Sequence, residues 1–155
     1  MLIEESELIH FYNPDTKTSI ELPVGWEEQS AADGTAVYVN LDEDDSDEKS
    51  PRLIVSIRAL PSAVDVRAEV LDGVISHVNG AEVLDRREVL VDDAPASRAV
   101  LRYTDAELGS VVRVQGVVQL DDVLWTFVGI ALGDTASEER SMFENAFDSV
   151  RLILL

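Results

Sequence analysis

Two histidines, thirty-one carboxylates and no cysteine bound the chemistry open to this 155-residue chain. Only His10 and His77 could act as imidazole bases near neutral pH. His10 alternates with Leu8 and Tyr12 on an extended stretch, which suits a half-buried structural role. His77 closes a helical run, where a cation complements the carbonyl end of the helix. Carboxylates are numerous enough to supply a hydrolytic pair, but no spacing singles one out. The G-x-S-x-G elbow, the phosphate loop, the dinucleotide fingerprint and the H-E-x-x-H zinc helix are all missing. Without cysteine there are no disulfides, thiol nucleophiles, thiolate metal sites or lipid-modified cysteines.

The densest acidic stretch, 42–48, holds six carboxylates in seven residues and invites comparison with a calcium loop. The EF-hand pattern needs a glycine at its sharp turn and a glutamate closing the loop, and neither stands in place. Like charges with no cation among them repel, so 42–50 reads as a solvated acidic loop. No catalytic residue, metal site or cofactor is therefore expected. Trp26, Tyr38 and His10 remain as candidate contacts for a ligand or partner.

A formal net charge of −19 repels phosphate backbones and anionic headgroups, which argues against nucleic acid and acidic membrane surfaces as partners. The same field suits a basic partner, general solubility or a salt-rich cytoplasm; lysine is confined to Lys17 and Lys49. An apolar fraction of 46% excludes disorder throughout. A single domain over 1–155 is expected, with roughly 68–70% of the unfolded surface buried. The opening residues turn acidic at Glu4 and lack the basic and apolar regions of a signal peptide. No apolar run approaches the ~18 residues of a membrane span. A cytoplasmic location is the resulting expectation.

The elements that must position any site follow from periodicity. Residues 123–132 are apolar on both faces of an alternating strand, with Trp125, Phe127 and Ala131 on one side and Leu124, Val128, Ile130 and Leu132 on the other. A strand of that kind belongs at the centre of a sheet covered above and below. Further strands are expected at 8–13, 18–22, 35–41, 52–60, 82–91, 96–104, 111–120 and 151–155. Trp26 follows a proline–glycine stop and should plug one end of the core. A helix capped by Ser62 should carry Val64, Ala68, Leu71, Ile75 and Val78 along one stripe and end at Asn79–Gly80. A second helix should start at Thr135, with Glu138 completing a capping box, and bury Met142, Phe143, Ala146, Phe147 and Val150. These mostly antiparallel strands with two helices define an α+β fold, a central sheet with helices packed on it.

Several of these segments are similar to a known family. Phe11-Tyr12-Asn13-Pro14, then Ile20-Glu21-Leu22-Pro23-Val24-Gly25-Trp26, resembles the strand, "lP.gW" and turn of the PsbP and Mog-type Ran-release-factor family and its bacterial DcrB and Eag-chaperone relatives. Val91-Asp92-Asp93-Ala94-Pro95 resembles the turn into the family's middle strand, without the usual glycine. Phe143-Glu144-Asn145-Ala146-Phe147-Asp148-Ser149-Val150 resembles its closing helix and strand. The resemblance implies an α/β/α sandwich and a non-enzymatic binding module, in which Ran release, photosystem assembly and effector chaperoning are the family's roles. These motifs are structural, and no family binding residue carries over to a position here.

The function expected is thus a cytosolic protein-binding module, a chaperone or adaptor for a basic or apolar segment. A self-associating protein forming a homodimer through an uncovered sheet edge or 152–155 is one alternative. A small-molecule-binding protein or weak hydrolase is another.

Overall fold

In the computed structural model, residues 8–29, 34–40, 51–133 and 136–153 are described, with backbone alone at 136–137. The chain runs β1 (Leu8–Asn13), β2 (Thr18–Pro23), β3 (Trp26–Gln29), β4 (Thr35–Asn40), β5 (Arg52–Ala59), α1 (Arg67–His77), β6 (Glu82–Val91), β7 (Ala94–Asp105), β8 (Gly109–Leu120), β9 (Val123–Leu132), α2 (Ala136–Asp148) and β10 (Arg151–Leu152). Seven strands form one sheet in the order β3-β4-β5-β9-β8-β7-β6, and β1-β2-β10 form a second. Every pairing is antiparallel. The expected acidic loop at 42–50, Thr135 and residues 154–155 lie outside the described residues.

β9 takes the middle position, as its two apolar faces predict. Its Trp125, Phe127 and Ala131 side is sealed at 0–2% exposure under α2 and the small sheet. The other side is only partly covered. Leu124 is buried with Leu71, Ala99 and Val117 beneath α1, while Val128, Ile130 and Leu132 stay half-buried. The expected α/β/α sandwich therefore overstates the helices. One short helix covers part of one face, and a helix shares the opposite face with three strands. The architecture is dominated by antiparallel sheet.

Two glycines explain how α2 lies so close. A Cβ on Gly116 would run into the ring of Phe147, and one on Gly129 would meet Phe143 Cγ at 2.5 Å. Neighbouring strands β8 and β9 thus each leave a slot for one aromatic side chain. Phe147 meets Phe127 edge-on at 5.1 Å between centroids, and Phe143 meets Trp26 at 5.8 Å. Burying each ring contributes on the order of 1.5–3 kcal/mol.

Helix α1 starts five residues later than Ser62, at Arg67, and Val64 is 66% exposed. The reason lies on β8. Gln119 accepts the Val66 N–H at 3.0 Å and donates to the Val64 carbonyl at 2.8 Å, holding 64–66 out of the helix and against the sheet. The inward residues become Val66, Val70 and Leu71 in place of the Val64–Ala68 stripe. The β6–β7 link is Asp92–Asp93 with φ of 50° and 67°, the two-residue turn with both φ positive that aspartate tolerates.

A groove beside the small sheet

The three residues expected to touch a ligand or partner do not come together. Trp26 is 4% exposed, and Tyr38 is fully buried with Phe11 edge-on at 5.3 Å. Both are core residues: Trp26 precedes exposed Glu27 on β3, and Tyr38 lies between half-buried Val37 and buried Val39 on β4. The Tyr38 hydroxyl has no hydrogen-bond partner, and burial, with Glu28 nearby, pushes its ionisation upward. His10 alone stands at the surface. Its side chain is 70% exposed, not half-buried, and Nε2 lies 3.0 Å from the Glu21 carboxylate on the next strand. His77 is exposed in the last turn of α1, with Nδ1 2.7 Å from the Gly73 carbonyl.

The His10–Glu21 pair borders a groove that sequence reasoning did not single out. Its floor and walls are Leu8 and Pro23 of the small sheet and Met142 and Ala146 of α2, with Glu21 and Glu138 bearing charge along it. The volume is about 310 Å³. It exists because β10 pairs only with Thr18 and Ser19, so β2 runs on past its neighbour. At Glu21 the backbone N–H instead donates to the Ser149 hydroxyl at 3.0 Å, and that hydroxyl donates to the Ala146 carbonyl. Helix and strand are thus tied at the Ser149 end of the groove, and Leu8 and Glu138 line it as well. Chemically, the site can take apolar groups and complement a cation. Of these, only Met142, on the apolar stripe of α2, was marked by the sequence, and Leu8 meets Pro23 across β1 and β2 through register.

Most of the described arginines form ion pairs within the fold. Arg98, buried beside Gly116 on β7, lies 3.4 Å from Asp148 and 3.7 Å from Glu144. Arg67 bridges Asp65 and Glu88 at 2.8 and 2.7 Å. Its hydrogen bonds hold the Asp65 carboxyl below the usual carboxylate range. Among the described residues no group of three or more potential ligands is placed to hold a metal ion. No described helix is long and apolar enough to cross a membrane.

No family model matches this chain, and no curated protein does. Solved structures do. The cyanobacterial PsbP of Synechocystis is similar over 97% of this chain and 95% of its own, with TM-score 0.65 and 18% identity. LpqN of Mycobacterium tuberculosis, described as involved in cell envelope biogenesis, aligns over 97% of this chain and 91% of its own, with TM-score 0.73 and 14% identity. The Pseudomonas aeruginosa protein PA94 aligns over 92% and 94%, with TM-score 0.61 and 10% identity. The fold is PsbP-like.

Proposed function

We propose that this protein is a non-enzymatic binding module that holds a short segment of a protein partner in the groove between the small sheet and α2. The observation carrying this reading is the pairing of apolar walls (Leu8, Pro23, Met142) with two carboxylates, Glu21 and Glu138, along one groove. Such a lining fits an amphipathic segment with leucine-like side chains and a lysine or arginine. The net charge of −19 extends the same preference outward, speeding capture of a cationic partner. Among PsbP-like proteins, this reading sits with the bacterial DcrB and Eag-chaperone branch, in which Eag members chaperone apolar effector segments.

The test uses a fluorescein-labelled Leu/Lys amphipathic peptide, followed by polarisation and by amide chemical-shift mapping. Saturable binding should perturb residues 21–23 and 138–146. Met142→Glu should weaken it about tenfold or more, as expected when a charge enters an apolar contact, while Val64→Glu on the far side should not. Uniform shifts over the surface, or equal loss with both variants, would refute the groove.

A further inference from the structure

The edges of the two sheets are not equally protected. β6 carries five charged residues, from Glu82 to Glu88, and a register shift between Val83 and Asp85. β3 has only four residues, two of them glutamates, and β10 has two, one an arginine. Short, charged or bulged strands are how sheet edges are kept from pairing with other chains. β1 has none of these features. It spans six residues, contains no Asp, Glu, Lys or Arg, and among the described residues pairs on one side only. Its Leu8 and Tyr12 are 54% and 56% exposed.

The hydrogen-bonding groups on that edge can be assigned. The Glu21 N–H donates to Ser149 and the Lys17 carbonyl accepts from Ile153, so odd-numbered residues of the β2 arm point away from β1. His10, opposite Glu21, must therefore direct its own N–H and C=O outward, and Leu8 and Tyr12 do the same. The open edge thus offers three donors and three acceptors at alternate residues.

We infer that β1 is a self-pairing edge, joining two copies of this protein antiparallel about a two-fold axis at His10. In that register His10 faces its own counterpart and Leu8 faces Tyr12 of the second copy. An aliphatic side chain then opposes an aromatic one in both directions, a favourable cross-strand pair. The self-complementary register favours a second copy, and charge limits where it can dock. A second copy brings another −19, so it can approach only along an edge free of carboxylates. The contact uses the same edge in both copies and therefore closes as a dimer without propagating into a fibre. A six-residue ladder is small, so the dimer should be weak and strengthened by salt, which screens the repulsion of the two acidic bodies.

The chain contains no cysteine, so an introduced thiol stands alone. Directly opposed residues of a hydrogen-bonded antiparallel pair have Cα atoms about 5.5 Å apart, within the roughly 4.4–6.8 Å that a disulfide spans. On mild oxidation, His10→Cys should form a covalent dimer. Leu8→Cys and Tyr12→Cys should each stay monomeric alone and cross-link when mixed. Sedimentation of the unmodified protein should shift towards dimer between 0.1 and 1 M KCl, and Tyr12→Lys should abolish the shift. Equal cross-linking at all three positions, or a monomer at 1 M KCl with no His10→Cys dimer, would overturn the proposal. An unmodified protein that dimerises with Tyr12→Lys unaffected would overturn it as well.

Discussion

The ring of Phe143 stands over Gly129, at the distance where a methyl group would have to be. Helix α2 and the central strand therefore depend on one missing side chain. Gly129→Ala should destabilise the fold by about 1–3 kcal/mol through overpacking. The pairing predicts non-additivity: adding Phe143→Leu should recover part of that loss even though it is costly by itself. Urea melts of the two single variants and the double variant measure it. Simple additivity would show that the helix adjusts freely.

Trp125 donates its indole N–H to the Thr16 carbonyl at 2.9 Å, in a buried contact linking residues 109 apart in sequence. Trp125→Phe keeps most of the ring but leaves that carbonyl without its donor. A loss of about 1–3 kcal/mol is expected. Hydrogen exchange should rise first in the 13–18 turn, where the Asn13 side chain also accepts from Asp15 and Thr16. Unchanged protection there would mean that the turn is held by its own bonds alone.

Tyr38 presents the opposite case, a buried hydroxyl with no hydrogen-bond partner. Its ring supports the core against Phe11, while its oxygen has Glu28 nearby without a closed hydrogen bond. Tyr38→Phe should be neutral or stabilising by up to about 1 kcal/mol, since it removes an uncompensated polar group. A thermal melt reads this directly, and a loss above that size would reveal a bond from the hydroxyl in solution.

The pH response can be signed. The Arg67 hydrogen bonds depress the Asp65 carboxyl in the folded state. Its contribution is therefore present above the unfolded carboxylate value, near 3.9, and fades as pH falls through the lower folded value. The stability difference between the parent protein and Asp65→Asn should be largest above about pH 5 and shrink towards pH 2. A difference independent of pH would assign the effect to packing. Because Asp65 is mostly exposed, the difference should be modest at every pH.

Strand content was legible because alternation is a local property. The limits of β1, β6 and β9 and the central place of β9 follow from residues that read the same in isolation and in the fold. What alternation does not record is how much of a face is covered. The Val128 and Ile130 side is as apolar as a sealed one, yet α1 reaches only Leu124, because Gln119 draws 64–66 along the sheet and delays the helix. β3 escaped notice because Trp26-Glu27-Glu28-Gln29 is short and largely charged, and only its pairing with β4 makes it a strand. Trp26 and Tyr38 drew attention as large amphipathic side chains, and their inward direction depends on register, which is non-local. The groove was invisible for the same reason. It is made by β10 stopping short of Glu21, a fact about two segments 128 residues apart.

That separation has a consequence for the order of assembly in the cell. Translation delivers β1 and β2 first, whereas β9, the centre of the larger sheet, arrives with α2 and β10 at the end, so the hairpin waits for both sheets to close. A hairpin alone is marginal in water. The newborn chain therefore carries an unfinished apolar ribbon, with Ile20 and Leu22 unsheltered, until α2 folds over it. Whatever escorts this protein off the ribosome should recognise that hairpin.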